Sequence, residues 1–116
     1  MSRRVDKILI DALTALNVAG YIGPAETSQC QEFGFDVEFD HTSAAGVVVI
    51  ETAADNNYPT NYAGTWAILA TVTWAAIDKS HHVAIAGSFR SLRARISSAV
   101  TSGTVTVRAT ANGNPT

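Results

Sequence analysis

Phe33-Gly34-Phe35-Asp36-Val37-Glu38-Phe39-Asp40 is the stretch that decides the fold class. Phe33, Phe35, Val37 and Phe39 occupy every second position, with Gly34, Asp36, Glu38 and Asp40 between them. A period of two is the mark of a strand with one dry and one wet face, because successive side chains leave opposite sides of the pleat. Working outward, Ala45 to Thr52 (AGVVVIET) is a continuous β-branched run suited to a strand buried on both faces. From Thr65 to Trp74 the alternation returns, with Trp66, Ile68, Ala70, Val72 and Trp74 on one side and Ala67, Leu69, Thr71 and Thr73 on the other. Shared parity with Ile68, Ala70 and Val72 predicts that both tryptophans lie in the core and do not form a sugar-stacking platform.

His82 to Ala86, Phe89 to Ser97 and Thr104 to Ala109 complete the set of predicted strands. In the last two, Leu92, Ala94, Ile96, Val105, Val107 and Ala109 point inward and Arg93, Arg95 and Arg108 point outward. Gly46, Gly64, Gly87 and Gly103 punctuate the strand starts, and Ala99 to Gly103 has the length of a hairpin loop. The longest break, Ala53 to Gly64, is rich in Asn, contains Pro59, and reads as a surface loop suited to making contacts. Short strands at regular spacing predict an all-β fold, a single antiparallel β-sandwich of jelly-roll or immunoglobulin-like type with seven or eight strands.

The first 20 residues read two ways. Val5, Ile8, Leu9, Ala12, Leu13 and Leu16 follow the spacing of an amphipathic helix, with Gly20 as its stop. The alternative is a strand through Lys7 to Ala12 and an irregular arm through Gly20, Gly23 and Pro24. The chain therefore divides into an N-terminal segment, 1–20, and a sandwich domain, 21–116. The N-terminal segment carries Val5, Ile8, Leu9, Ile10, Leu13 and Leu16, more apolar surface than a small sandwich is expected to take in. It also holds Arg3, Arg4 and Lys7, so contact with a neighbouring subunit or a partner is expected there.

Composition narrows the function classes. The 116 residues suffice for one domain, charged residues make up only 16%, and the formal net charge is −2. No global field draws such a chain to nucleic acid, and no run approaches the ~18 apolar residues of a membrane span. Asp6, Lys7, Asp11 and Asn17 interrupt the apolar stretch after Arg3-Arg4, so no signal peptide is expected. The single cysteine, Cys30, excludes an intrachain disulfide.

The spacing of reactive residues points away from an enzyme. Adjacent His81 and His82 leave opposite faces of a strand and cannot share a metal, and Asp55-Asn56-Asn57 lacks the pattern of a calcium loop. No nucleophile elbow, zinc-helix motif, phosphate loop or dinucleotide fingerprint occurs. Asp36, Glu38 and Asp40 form the wet side of a strand, where a carboxyl seldom acquires the raised pKa of a general acid. The expectation is no catalysis, no metal and no cofactor. The Arg93, Arg95 and Arg108 strip is expected to pair with Asp36, Glu38 and Asp40, within one chain or between subunits.

Several of these segments carry a resemblance. Gly64-Thr65-Trp66, Leu69-Ala70-Thr71-Val72, Val83-x-Ile85-x-Gly87, Phe89-Arg90-x-Leu92-Arg93-Ala94-Arg95-Ile96 and Gly103-Thr104-Val105-Thr106-Val107 look like the small β-sandwich structural proteins of tailed-bacteriophage virions. Ile8-Leu9-Ile10-Asp11-Ala12-Leu13-Thr14-Ala15 is similar to the start of the same group, an extended arm or strand, which favours strand over helix for this segment. The resemblance implies a virion protein made in the host cytoplasm, in first place a capsid decoration or cement protein. Its implied partners are the major capsid protein and further copies of itself, with a trimer favoured. A tail, baseplate or connector component is the alternative, and a carbohydrate-binding module using Tyr58, Tyr62 and Trp66 is another. The residues expected to meet a partner are Arg3, Arg4, Lys7, Ile8 and Ile10 near the N-terminus and Tyr58 and Tyr62 in the long loop.

Overall fold

A computed structural model describes residues 3–23, 30–53, 66–77 and 79–113. They contain β1 (Arg3–Leu13), β2 (Ala19–Ile22), β3 (Glu32–Phe39), β4 (Ala45–Ala53), β5 (Ala67–Thr73), β6 (Ser80–Ala86), β7 (Ser91–Thr101) and β8 (Val105–Gly113). Two four-stranded antiparallel sheets result, ordered β1-β8-β3-β6 and β2-β7-β4-β5. Four of the pairings join β4 to β5, β3 to β6, β2 to β7 and β1 to β8, as if one long hairpin had been folded over onto itself. This is the strand order of a jelly roll, the first of the two sandwich types the alternation allowed.

The core lies between the sheets. Phe35, Val37 and Phe39 of β3, Val105 and Val107 of β8 and Ile10 of β1 face Val48 and Ile50 of β4, Leu92 and Ile96 of β7 and Ile22 of β2, all at most 2% exposed. Burial of each such side chain contributes about 1.5–3 kcal/mol. Cys30 is buried in the same cluster. β4 is covered on both sides, as its unbroken apolar run requires: Val48 and Ile50 face the other sheet while Val49 and Glu51 are buried on the outer face.

The N-terminal segment is a strand. β1 pairs with β8 from Arg3 to Leu13, with register shifts between Ile8 and Ile10 and between Ile10 and Leu13. The first shift lets the consecutive residues Leu9 and Ile10 both be buried. Ala12 sits at φ 54° in the second. These bulges are why a strand here carries apolar residues at helix-like intervals. β1 then comes so close to β2 that a Cβ on Gly20 would collide with the backbone of Leu9.

A bulge also corrects the expectation for Trp66. The register of β5 on β4 slips between Ile50 and Glu51, so Ala70 and Val72 keep to the inner side while Ile68 falls opposite Glu51 on the outer one. Trp74 is half-buried against the core as expected. Trp66 instead lies on the outer face, with its ring 4.2 Å from the Arg93 guanidinium.

Candidate partner-binding surface

The outer face of the β1-β8-β3-β6 sheet is built by register. Ile8 of β1 is opposite Arg108 of β8, Arg108 is opposite Asp36 of β3, and Asp36 is opposite His82 of β6. Adjacent strands are about 4.8 Å apart, so these four residues form one row across the sheet. His82 places Nδ1 2.6 Å from Asp36 Oδ1. An ionised carboxylate only accepts, so Nδ1 carries the proton of that bond. Gly34 lets the His82 ring lie against the strand, since a Cβ there would meet the ring at 3.0 Å and Thr110 Oγ1 at 2.9 Å. With Asp36 engaged by His82, neither the Arg108 nor the Glu38 side chain has a hydrogen bond or ion pair among the described residues.

Two open hollows share Asp36 and Arg108 as a wall. One, of about 530 Å³, is lined by Glu38, Ser80, His82 and Thr106 beside that pair. The other, of about 410 Å³, gathers Arg4, Asp6, Lys7 and Ile8 of β1 against Arg108 and Thr110 of β8. Arg4 donates from Nε to Asp6 Oδ2 at 3.1 Å, and this hydrogen bond raises the arginine's pKa. Lys7 extends across the sandwich edge and donates to the Tyr21 carbonyl at 2.9 Å. Ile8 is half exposed, and Leu13 and Leu16 farther along the same segment are also exposed.

Three of the seven residues expected to meet a partner, Arg4, Lys7 and Ile8, therefore converge on one hollow. Ile10 does not belong with them: it is 0% exposed, because the bulge after Ile8 turns it into the core. Arg3 pairs with Gly113 at the start of β1. Tyr58 and Tyr62, with the rest of the long loop, lie outside the described residues. Asp6 and Arg108, which complete the hollow, were not among the expected contacts. Asp6 lies between Arg4 and Lys7 on β1, and the β1–β8 register, a long-range fact, brings Arg108 beside them.

The arginine strip is divided between the sheets, which corrects the expected pairing. Arg93 and Arg95 stand on the outer face of the β2-β7-β4-β5 sheet and donate from Nε to Glu51 Oε1 at 2.7 and 2.9 Å. Arg95 also donates to Asn17 Oδ1 at 3.1 Å. Burial alone would push the Glu51 carboxyl up, but the hydrogen bonds and charges of Arg95 and Arg93 outweigh it and hold the group below its ordinary range. Trp66 closes over Arg93, and Tyr21 packs beside it with ring centroids 5.9 Å apart. A charge within the apolar run of β4 was the sequence signal for this buried pairing.

His81 and His82 do point to opposite faces: His81 meets the Phe39 ring edge-on while His82 joins the outer row. Among the described residues no group of three or more His, Cys, Asp or Glu side chains could hold a metal ion. No protein-family model matches the chain, and no curated protein matches it. Among solved structures it is similar to the SPBc2 prophage-derived protein YomS, with TM-score 0.64 and 15% identity over 97% of this chain and 96% of that one. More distant likenesses are a structure of Bacillus endospore appendages that form disulfide-linked pili (TM-score 0.48, 14% identity, 98% and 92% covered) and a structure of black queen cell virus (TM-score 0.46, 7% identity, 97% and 68% covered). The YomS likeness is one of fold.

Proposed function

We propose that this chain is a structural protein of a tailed-phage virion that decorates the head shell and strengthens it by binding the major capsid protein. The observation that carries the reading is the convergence of Arg4, Ile8 and the unengaged Arg108 on an open sheet face. A shallow hollow with a half-exposed isoleucine between cations suits a protein surface, where an apolar contact supplies affinity and charges supply orientation. The phage origin is supported by the motifs between residues 64 and 108 and by the jelly-roll fold shared with a prophage-derived protein over nearly the full length. The reading assigns the chain no reaction and no cofactor.

The test is cosedimentation of the purified chain with heads and, separately, with tails of the phage that encodes it, both lacking the chain. Saturable binding to heads, weakened by Arg108→Glu, supports decoration. Binding to tails alone moves the chain to the tail, and binding to neither overturns the virion reading.

A further inference from the structure

We infer that β5 is a dimerisation edge, pairing antiparallel with β5 of a second copy across a two-fold axis at Thr71. β5 closes one side of the β2-β7-β4-β5 sheet and pairs only with β4 among the described residues. The Trp74 N–H donates to the Gly46 carbonyl at 2.9 Å. Peptide groups of successive residues point to opposite sides of a strand, so those of Val72 and Ala70 also face β4 while those of Thr73 and Thr71 face away from the sheet. A row of outward donors and acceptors is complemented by another strand edge.

The choice of a second copy rests on charge and symmetry. Ala67-Ile68-Leu69-Ala70-Thr71-Val72-Thr73 contains no charged residue and no proline. The other edges carry the features that discourage self-pairing: β1 has Arg4, Asp6, Lys7, Asp11 and two register shifts, β2 has only four residues, and β6 carries His81 and His82, the latter opposite Asp36. Of the four edges, only β5 offers more than four residues with neither a charged side chain nor a histidine to set against its own copy.

With Thr71 on the axis, Thr71 faces Thr71, Val72 faces Ala70 and Thr73 faces Leu69. Ile68 and Leu69, 59% and 39% exposed, lie where the second copy arrives. Each chain's four-stranded sheet continues into the other's, giving eight strands across the dimer. Such an edge makes a closed two-fold dimer. The trimer implied by the resemblance would need a different surface.

Sedimentation velocity of the full chain over a range of concentrations tests the inference. The expected result is a wild-type dimer whose dissociation constant rises at least tenfold in Thr71→Lys, because two ammonium groups then face each other on the axis. Thermal melting monitored by circular dichroism should show Thr71→Lys still folded, since lysine is a common guard of natural strand edges. Ala84→Lys, on the exposed side of β6, should leave the dimer intact. As a second measurement, Thr71→Cys should oxidise to a disulfide-linked dimer, because the ~5.5 Å Cα separation of a hydrogen-bonded antiparallel pair lies in the range a disulfide spans. A wild-type chain that is monomeric throughout, a dimer unaffected by Thr71→Lys, or one lost in Ala84→Lys overturns the inference. Cosedimentation of Thr71→Lys with heads separates this result from the virion reading, which stands or falls on head binding.

Discussion

Glu51 of β4 and Arg93 of β7 form a charged pair that is nearly closed to solvent, with Arg93 Nε 2.7 Å from Glu51 Oε1 and the glutamate 3% exposed. Arg95 reaches the same carboxylate at 2.9 Å. The pair ties the two central strands of one sheet together on its outer side. Removal of the carboxylate would leave two guanidinium groups without their acceptor, and breaking a buried pair in this way costs about 3–5 kcal/mol. Glu51→Ala is therefore expected to lower the unfolding free energy by roughly 3 kcal/mol in urea. A loss below ~1 kcal/mol, the value of an exposed ion pair, would show that solvent reaches the site.

The same carboxylate gives the fold an acid limit. Its folded pKa lies below the ordinary 4.5: burial opposes ionisation, but the hydrogen bonds from Arg95 and Arg93 prevail. Asp40 is shifted in the same direction, first by the Thr42 N–H that donates to it. In the acid range the unfolded chain binds more protons than the folded one, so stability rises with pH there. The contribution is fully present above the unfolded-state values near 4 and is lost as pH falls through the folded ones. Urea unfolding between pH 2.5 and 6 should show this slope, and Glu51→Gln should flatten it relative to wild type.

The parts of the fold visible in the sequence are those where period two runs undisturbed. Phe33 to Phe39 alternate through β3, and their alternation alone fixes which residues meet the other sheet. Bulges hid the rest. One near Ile8 made β1 resemble a helix in spacing, and one opposite Glu51 moved Trp66 from the core to the outer face. β2 is too short for periodicity to reveal: four residues, with Gly20 chosen for its close approach to Leu9. The site was legible in part for the same reason. Arg4, Lys7 and Ile8 are near neighbours in sequence, whereas Arg108 joins them through a pairing that spans almost the whole chain.

The two tryptophans should answer differently to substitution. The indole N–H of Trp74 is buried and meets no acceptor among the described residues, so phenylalanine removes a polar group that lacks a partner there. Trp74→Phe is expected to change stability by less than ~1.5 kcal/mol, because removal of the unpartnered N–H offsets part of the burial lost with the smaller ring. Trp66→Ala should uncover Arg93 and cost the cation–π contact, about 0.5–2 kcal/mol, together with the burial of the ring. Urea unfolding of both variants checks the contrast, and a Trp74→Phe loss above ~3 kcal/mol would reveal a hidden acceptor.

Gly20 marks the place where β1 and β2 approach across the two sheets. Any side chain there meets the Leu9 backbone, which cannot rotate away as a flexible side chain would. Gly20→Ala should therefore destabilise by about 1–3 kcal/mol, the usual range for overpacking, although alanine is otherwise the mildest replacement. Thermal melting is sufficient to detect it, and an unchanged midpoint would mean that the two strands separate without cost.

Ile8 and Ile10 separate the two duties of the N-terminal strand. Ile10 is fully buried between the sheets, so Ile10→Ala should cost about 2–5 kcal/mol through lost transfer energy and the cavity left behind. Ile8 is 50% exposed beside Arg4 and Arg108, so Ile8→Ala should alter stability by no more than ~0.5 kcal/mol. Because β1 pairs along β8 and places Leu9 and Ile10 in the core, deletion of residues 1–13 should unfold the chain and not free an intact sandwich. On the proposed function, Ile8→Ala combined with Arg4→Ala should weaken head binding while the melting temperature stays near that of wild type. Equal head binding by that double variant and wild type would remove this hollow from the docking surface and leave Tyr58 and Tyr62 as the next residues to substitute.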